Sequence, residues 1–176
     1  MSVLTLSVLL ALIGVATVTD WRWQKIYNWT TYPGLVLGFL LRWLDEGRSG
    51  LEDAAWGALG CGGIMLVCLV FFADLGGGDF KLLTMIGAFL GWQRGLEALL
   101  WTFVLGGVAG LCWVIWQVGV VEIARRTFRQ LAATWRAKGY VPLTDADREP
   151  LKRTMFLAPA ALVAVVIVTW DVWWKS

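Results

Sequence analysis

Histidine is absent from all 176 residues of the chain. Its absence excludes HExxH zinc peptidases and both Ser–His and Cys–His nucleophilic pairs, so any acid–base chemistry falls to carboxylates or lysines. Cysteine is scarce. Cys61, Cys68 and Cys112 form no CxxC pair and lie inside long apolar runs. They therefore imply neither a disulfide framework nor a zinc site, and read as small buried hydrophobes. No metal and no cofactor is expected. Charge of one sign is also in short supply: the net charge of +2 is too small to argue for a nucleic-acid partner. No Lys or Arg precedes the first apolar run, whereas a secretory signal needs a basic leading region, so residues 2–19 are read as a retained helix. Internal repeats and low-complexity tracts are missing as well.

What is present is apolar. Hydrophobic residues make up 59% of the chain and the mean hydropathy is +0.67, above the range of soluble domains. The expected fold is an all-α integral membrane protein, a single bundle of about six transmembrane helices forming one domain over 1–176. The spans are placed at roughly 2–19, 29–44, 54–73, 81–96, 97–121 and 155–174, with 42–53 read as a loop. The fourth is the weakest, because Gly91 and Arg94 interrupt it. Tryptophans near the span ends, among them Trp21, Trp23, Trp43, Trp92 and Trp170, suit an aromatic belt in the headgroup layer. The one sizeable polar stretch, about 122–153, is a connector. Its Val120, Ala124, Phe128, Leu131 and Trp135 fall at helical spacing among arginines, a pattern suited to the lipid surface.

The loops after spans 1, 3 and 5 hold eleven of the fifteen basic residues. The positive-inside rule then makes those loops cytoplasmic and puts both termini outside. Four ionisable residues mark the cytoplasmic span ends: Asp20, Asp74, Asp79 and Lys81. Carboxylates at a span are costly, which makes them functional-site candidates. Asp20 closes span 1 in "VTDWRWQKIYNW" and Asp79 opens span 4 in "GGGDFKLL". Odd spans exit where even spans enter, so both carboxylates belong to one membrane face.

Two such carboxylates suit aspartyl peptide hydrolysis. One, ionised, takes a proton from water while its protonated partner polarises the scissile carbonyl. Gly76, Gly77 and Gly78 are read as permitting backbone conformations barred to other residues and as admitting an extended substrate strand. The alternative is a flexible turn with Asp79 as a helix cap. Asp79 at a helix start and Asp20 at a helix end are expected to differ in electrostatic setting, the helix dipole favouring negative charge on Asp79. Lys81 is read either as snorkelling to the interface or as placing substrate, and Asn28 as capping span 2 or supporting the site. Asp74 is an interfacial carboxylate, and Arg94 and Glu97, on the outer side, carry no functional expectation.

"GGGDFKLLTMIGAFLG" resembles the G-x-G-D-x-K-L signature of the type IV prepilin peptidases, an aspartyl intramembrane-type protease family. "DWRWQKIYNW" is similar to the family's other motif, an Asp followed by a basic stretch and Ile-Pro-Asn. "LKRTMFLAPAALVAV" resembles its Pro-containing entry into the last helix. By this resemblance Asp20 and Asp79 take the catalytic roles, Gly76 and Gly78 are the motif glycines, and Lys81 and Asn28 are supporting residues. Tyr27 stands where the family has Pro. The larger members' CxxC-bearing segment, associated with N-methylation, has no counterpart here, so the chain looks like the short, peptidase-only form and methyl transfer is not expected.

The resemblance implies a multi-pass prokaryotic inner-membrane enzyme, its active site near the cytoplasmic face. Its expected partners are prepilin-like precursors as substrate and membrane lipids, with no nucleic acid. Rival readings are a non-enzymatic membrane scaffold or small transporter subunit, and a presenilin-like intramembrane protease. The last pairs G-x-G-D with Tyr-Asp, whereas Thr19 precedes Asp20 here.

Overall fold

A computed structural model describes residues 1–23, 26–71, 76–118 and 157–175. The described residues are helical, with no strand: α1 is Val3–Trp23, α2 Asn28–Phe71, α3 Gly77–Val118, α4 Leu157–Val168 and α5 Trp170–Lys175. Helices are what lipid permits, because only internal hydrogen bonds satisfy a backbone without water. α1, α2 and α3 are long and apolar enough to cross a membrane, and α4 is a shorter apolar helix. The amphipathic connector expected at 122–153, and Asp74 with it, lies outside the described residues.

Each of the two longest helices is broken at one residue. Gly47 in α2 has φ 64° and Gly91 in α3 has φ 80°, left-handed conformations that side chains with a Cβ avoid. Both breaks reverse the chain. A Cβ built on Gly50 would strike the Arg42 carbonyl, whereas eight residues of straight helix would separate the two by about 12 Å. Likewise a Cβ on Gly95 would come 3.1 Å from the Gly87 Cα. This corrects two expected boundaries. The stretch 42–53 is helical except at Gly47, because three of its acidic side chains, Asp45, Glu46 and Asp53, find hydrogen-bond partners and so do not break it. The junction expected at 96/97 lies instead at Gly91, so Arg94 belongs to the later segment.

The chain divides into two compact units, Met1–Gly106 with Phe156–Ser176, and Gly107–Met155. In the second, residues 107–118 carry α3 to its end. In the first, α1 contributes a buried stripe, Leu6, Leu9, Ile13 and Ala16, at spacings of three and four. It joins Met65, Leu82, Met85, Ile86, Phe89, Leu99, Ala161 and Val165 in one core. Glycines set the helix spacing. Met85 lies at Gly34 and Phe89 at Gly38, so 77–90 runs beside and parallel to 28–46. Gly87 and Gly91 meet Gly57 while Thr84 meets Gly62, so 77–90 runs antiparallel to 48–71. Such small-residue contacts are how helices approach closely in lipid, where the hydrophobic effect does not drive them together.

A polar knot holds the two breaks together. Arg42, 4% exposed, pairs with Glu46 at 2.9 Å and with Asp53. Asp53 Oδ1 also accepts the Trp92 N–H at 3.0 Å, the amide just past Gly91. Nearby, Arg94 pairs with Asp171 at 2.8 Å, and Asp45 accepts bonds from the Ser2 amide and the Thr5 hydroxyl. Replacing Asp53 by Ala takes one partner from a buried guanidinium and uncaps Trp92. The expected cost is about 1–3 kcal/mol, read as a lower midpoint of thermal unfolding in detergent.

Candidate active site

Asp20 lies in the last turn of α1 and Asp79 in the first turn of α3. The Asp79 amide bonds the Gly76 carbonyl at 3.0 Å, closing the turn that starts α3, and its carboxyl group folds back on the Gly76 backbone. Both aspartates are half-buried, and they stand close enough for Asp79 to feel the charge of Asp20. Asp20 in turn lies against the backbone amide of Ala158, in the first turn of α4. Its Oδ2 is buried and, among the described residues, has no hydrogen-bond partner. Asp20 thus ends one helix and also faces the start of another.

The glycines take a different role from the one expected. Neither Gly76, Gly77 nor Gly78 is among the positive-φ glycines, which are Gly47 and Gly91, and Gly77 and Gly78 sit within the first turn of α3. Gly78 is small because of a neighbour: a Cβ there would come 2.9 Å from the Ile26 Cβ. The "KIYN" and "GGGD" stretches are thus in direct contact. A second link joins them, for the Lys81 ammonium donates to Asn28 Oδ1 at 2.7 Å and stands 5.1 Å from the centre of the Tyr32 ring. Asn28 is the first residue of α2, but its Oδ1 is engaged by Lys81 rather than by an amide of the first turn, whose first bonds run to the Tyr27 carbonyl.

Every site residue expected from the sequence, Asp20, Asn28, Gly76, Gly78, Asp79 and Lys81, is accordingly gathered at one end of the first unit. Sequence reasoning missed three participants: Ile26, Tyr32 and Ala158. Tyr32 had a detectable signal, four residues after Asn28 and so on the same helix face. Ala158 had none, since nothing local to it reports proximity to Asp20. The groups of three or more metal-ligating side chains that would hold an ion are absent among the described residues.

Residues 7–111 match the type IV leader peptidase family, a stretch that holds all six of these residues and more than half of the chain. The chain belongs to the type IV leader peptidase family. The prepilin leader peptidase/N-methyltransferase of Escherichia coli (strain K12) is 36% identical over 132 residues, covering 70% of this chain and 54% of that protein. This leader-peptidase-family chain thus spans about half the length of the curated relative it matches. No solved structure shows significant similarity to it.

The Gly78–Ile26 contact yields a size test. Gly78→Ala is expected to lower stability by about 1–3 kcal/mol through overpacking. Because the clash is with the Ile26 Cβ, adding Ile26→Gly is expected to relieve it, while Ile26→Ala, which keeps that atom, is not. Thermal unfolding of the single and double variants reads the difference.

Proposed function

We propose that the chain is a membrane aspartyl peptidase that cleaves the basic leader of prepilin-like precursors at the cytoplasmic face of a prokaryotic inner membrane. The observation that carries this reading is the nearness of Asp20 and Asp79, from separate helices, at the end of the first unit where the two motif stretches are in contact. Membership of the leader peptidase family and the activity named for the E. coli relative support the substrate class. One carboxylate removes a proton from water, and the other, protonated, polarises the scissile carbonyl, so the pair titrates as a unit. Neither step calls for a metal or cofactor, and methyl transfer is not part of the proposal.

In this reading the reversals at Gly47 and Gly91 divide α2 and α3 into two crossings each. With α1 and α4 they make six, and both termini are outside. Trp21, Trp23 and Trp29, all exposed, surround the aspartate end at positions suited to the headgroup layer, as expected for a site at the membrane boundary rather than mid-bilayer.

Two experiments test this. Asp20→Asn and Asp79→Asn are each expected to abolish leader cleavage of a co-expressed precursor, followed by N-terminal sequencing of the product, with the protein still inserted. Turnover retained in either variant overturns the aspartyl assignment, and precursor assembly unaffected by both favours a scaffold. Reporter fusions at Ser49 and Arg136 are expected to report opposite sides of the membrane, Arg136 cytoplasmic. The same side for both removes the shared face that the pair requires.

A further inference from the structure

Lys81 follows Asp79 by two residues, which on a helix turns its side chain about 200° away from that of the aspartate. It reaches across to α2 instead. Asn28 and Tyr32 are four residues apart on one face of α2, and together they form a two-point seat: Asn28 Oδ1 accepts from the ammonium at 2.7 Å, and the Tyr32 ring lies 5.1 Å from it. A lysine that merely snorkels extends its ammonium into water and needs no fixed acceptor. This one is half-buried and held by a neutral oxygen and an aromatic face. The same two helix starts carry the Ile26–Gly78 contact, 2.9 Å from an added Cβ. Ile26 belongs to the segment that leads from Asp20 into α2, and Gly78 directly precedes Asp79.

We propose that Lys81 is a positioning residue, and that its seat on Asn28 and Tyr32 ties the start of α2 to the start of α3 and thereby holds Asp20 and Asp79 at their working separation. The inference rests on the peptidase reading above and adds Tyr32 to the site. Lys81 acts on the aspartates through the backbone that carries them, not by touching substrate.

The test uses the full chain in detergent with a basic-leader precursor, and hydrogen exchange of the amides of residues 26–31 as a readout independent of activity. Lys81→Met and Asn28→Leu are each expected to lower kcat by about ten- to a hundredfold while leaving KM within about threefold, as for a misplaced reacting pair. The double variant is expected to be no worse than the poorer single one, because the two residues form one link. Lys81→Arg, which keeps the charge and a donor and can lie over the Tyr32 ring, recovers activity that Met does not. Tyr32→Leu loses more than Tyr32→Phe. Exchange in 26–31 is faster in Lys81→Met than in the parent. Additive losses in the double variant, or unaltered exchange in Lys81→Met, overturn the proposal. If the parent cleaves no leader, the peptidase reading falls by itself. The exchange comparison still decides the tether, faster exchange supporting it and unchanged exchange refuting it.

Discussion

The contact between Gly57 and Gly87 is the constraint on which the rest depends. A Cβ on either would strike the backbone of the other, and backbone, unlike the end of a flexible side chain, has no rotamer to yield. The two helices touch main chain to main chain, which in lipid is how dispersion replaces the missing hydrophobic drive. Their closeness holds 77–90 between the two halves of α2. It thereby determines where α3 begins, and Asp79 lies in its first turn.

Polar groups then serve opposite purposes at the two ends of the first unit. At the reversals, Arg42, Glu46, Asp53 and the Trp92 amide bond one another, a network that makes two tight turns compatible with an apolar surround, although Arg42 Nε has no partner among the described residues. At the aspartate end, among the described residues, no ion pair reaches the carboxylates. Asp20 Oδ2 is buried and unpartnered among the described residues, and it lies near another carboxylate. An unsatisfied buried oxygen is unfavourable for stability and useful for chemistry, because it can receive a proton or a water that a saturated group would refuse. The contacts beside it, Ile26 on Gly78 and the Lys81 ammonium on the neutral Asn28 Oδ1, supply order, and neither pairs with a carboxylate.

The far-end network also shows why local polarity misleads in a membrane protein. Asp45, Glu46, Glu52 and Asp53 made 42–53 look like a loop, yet the helix passes through them and stops only at Gly47. A helix ends where its φ and ψ end, and acidic side chains that find a partner, such as Glu46 and Asp53 on Arg42, leave those angles alone.

The all-helical, membrane-type fold was legible in the sequence because lipid admits only helices or closed barrels, and long unbroken apolar runs, unlike alternating ones, suit the helix. So were the candidate site residues Asp20, Asp79 and Lys81, because charge at a span end is conspicuous against an apolar background; Asn28 came only from the motif likeness. The tryptophans expected near the span ends, Trp21, Trp23, Trp43, Trp92 and Trp170, are exposed. The sequence did not reveal what the glycines do. From spacing alone, Gly76 and Gly78 looked like conformational devices, while the left-handed positions proved to be Gly47 and Gly91, since a glycine does not announce whether its φ or its missing side chain is being used. Nor could it pair Asp20 with the start of α4 or Lys81 with Tyr32. Those pairings join residues far apart in sequence, and only the packing of helices, set by where two backbones can touch, brings them together.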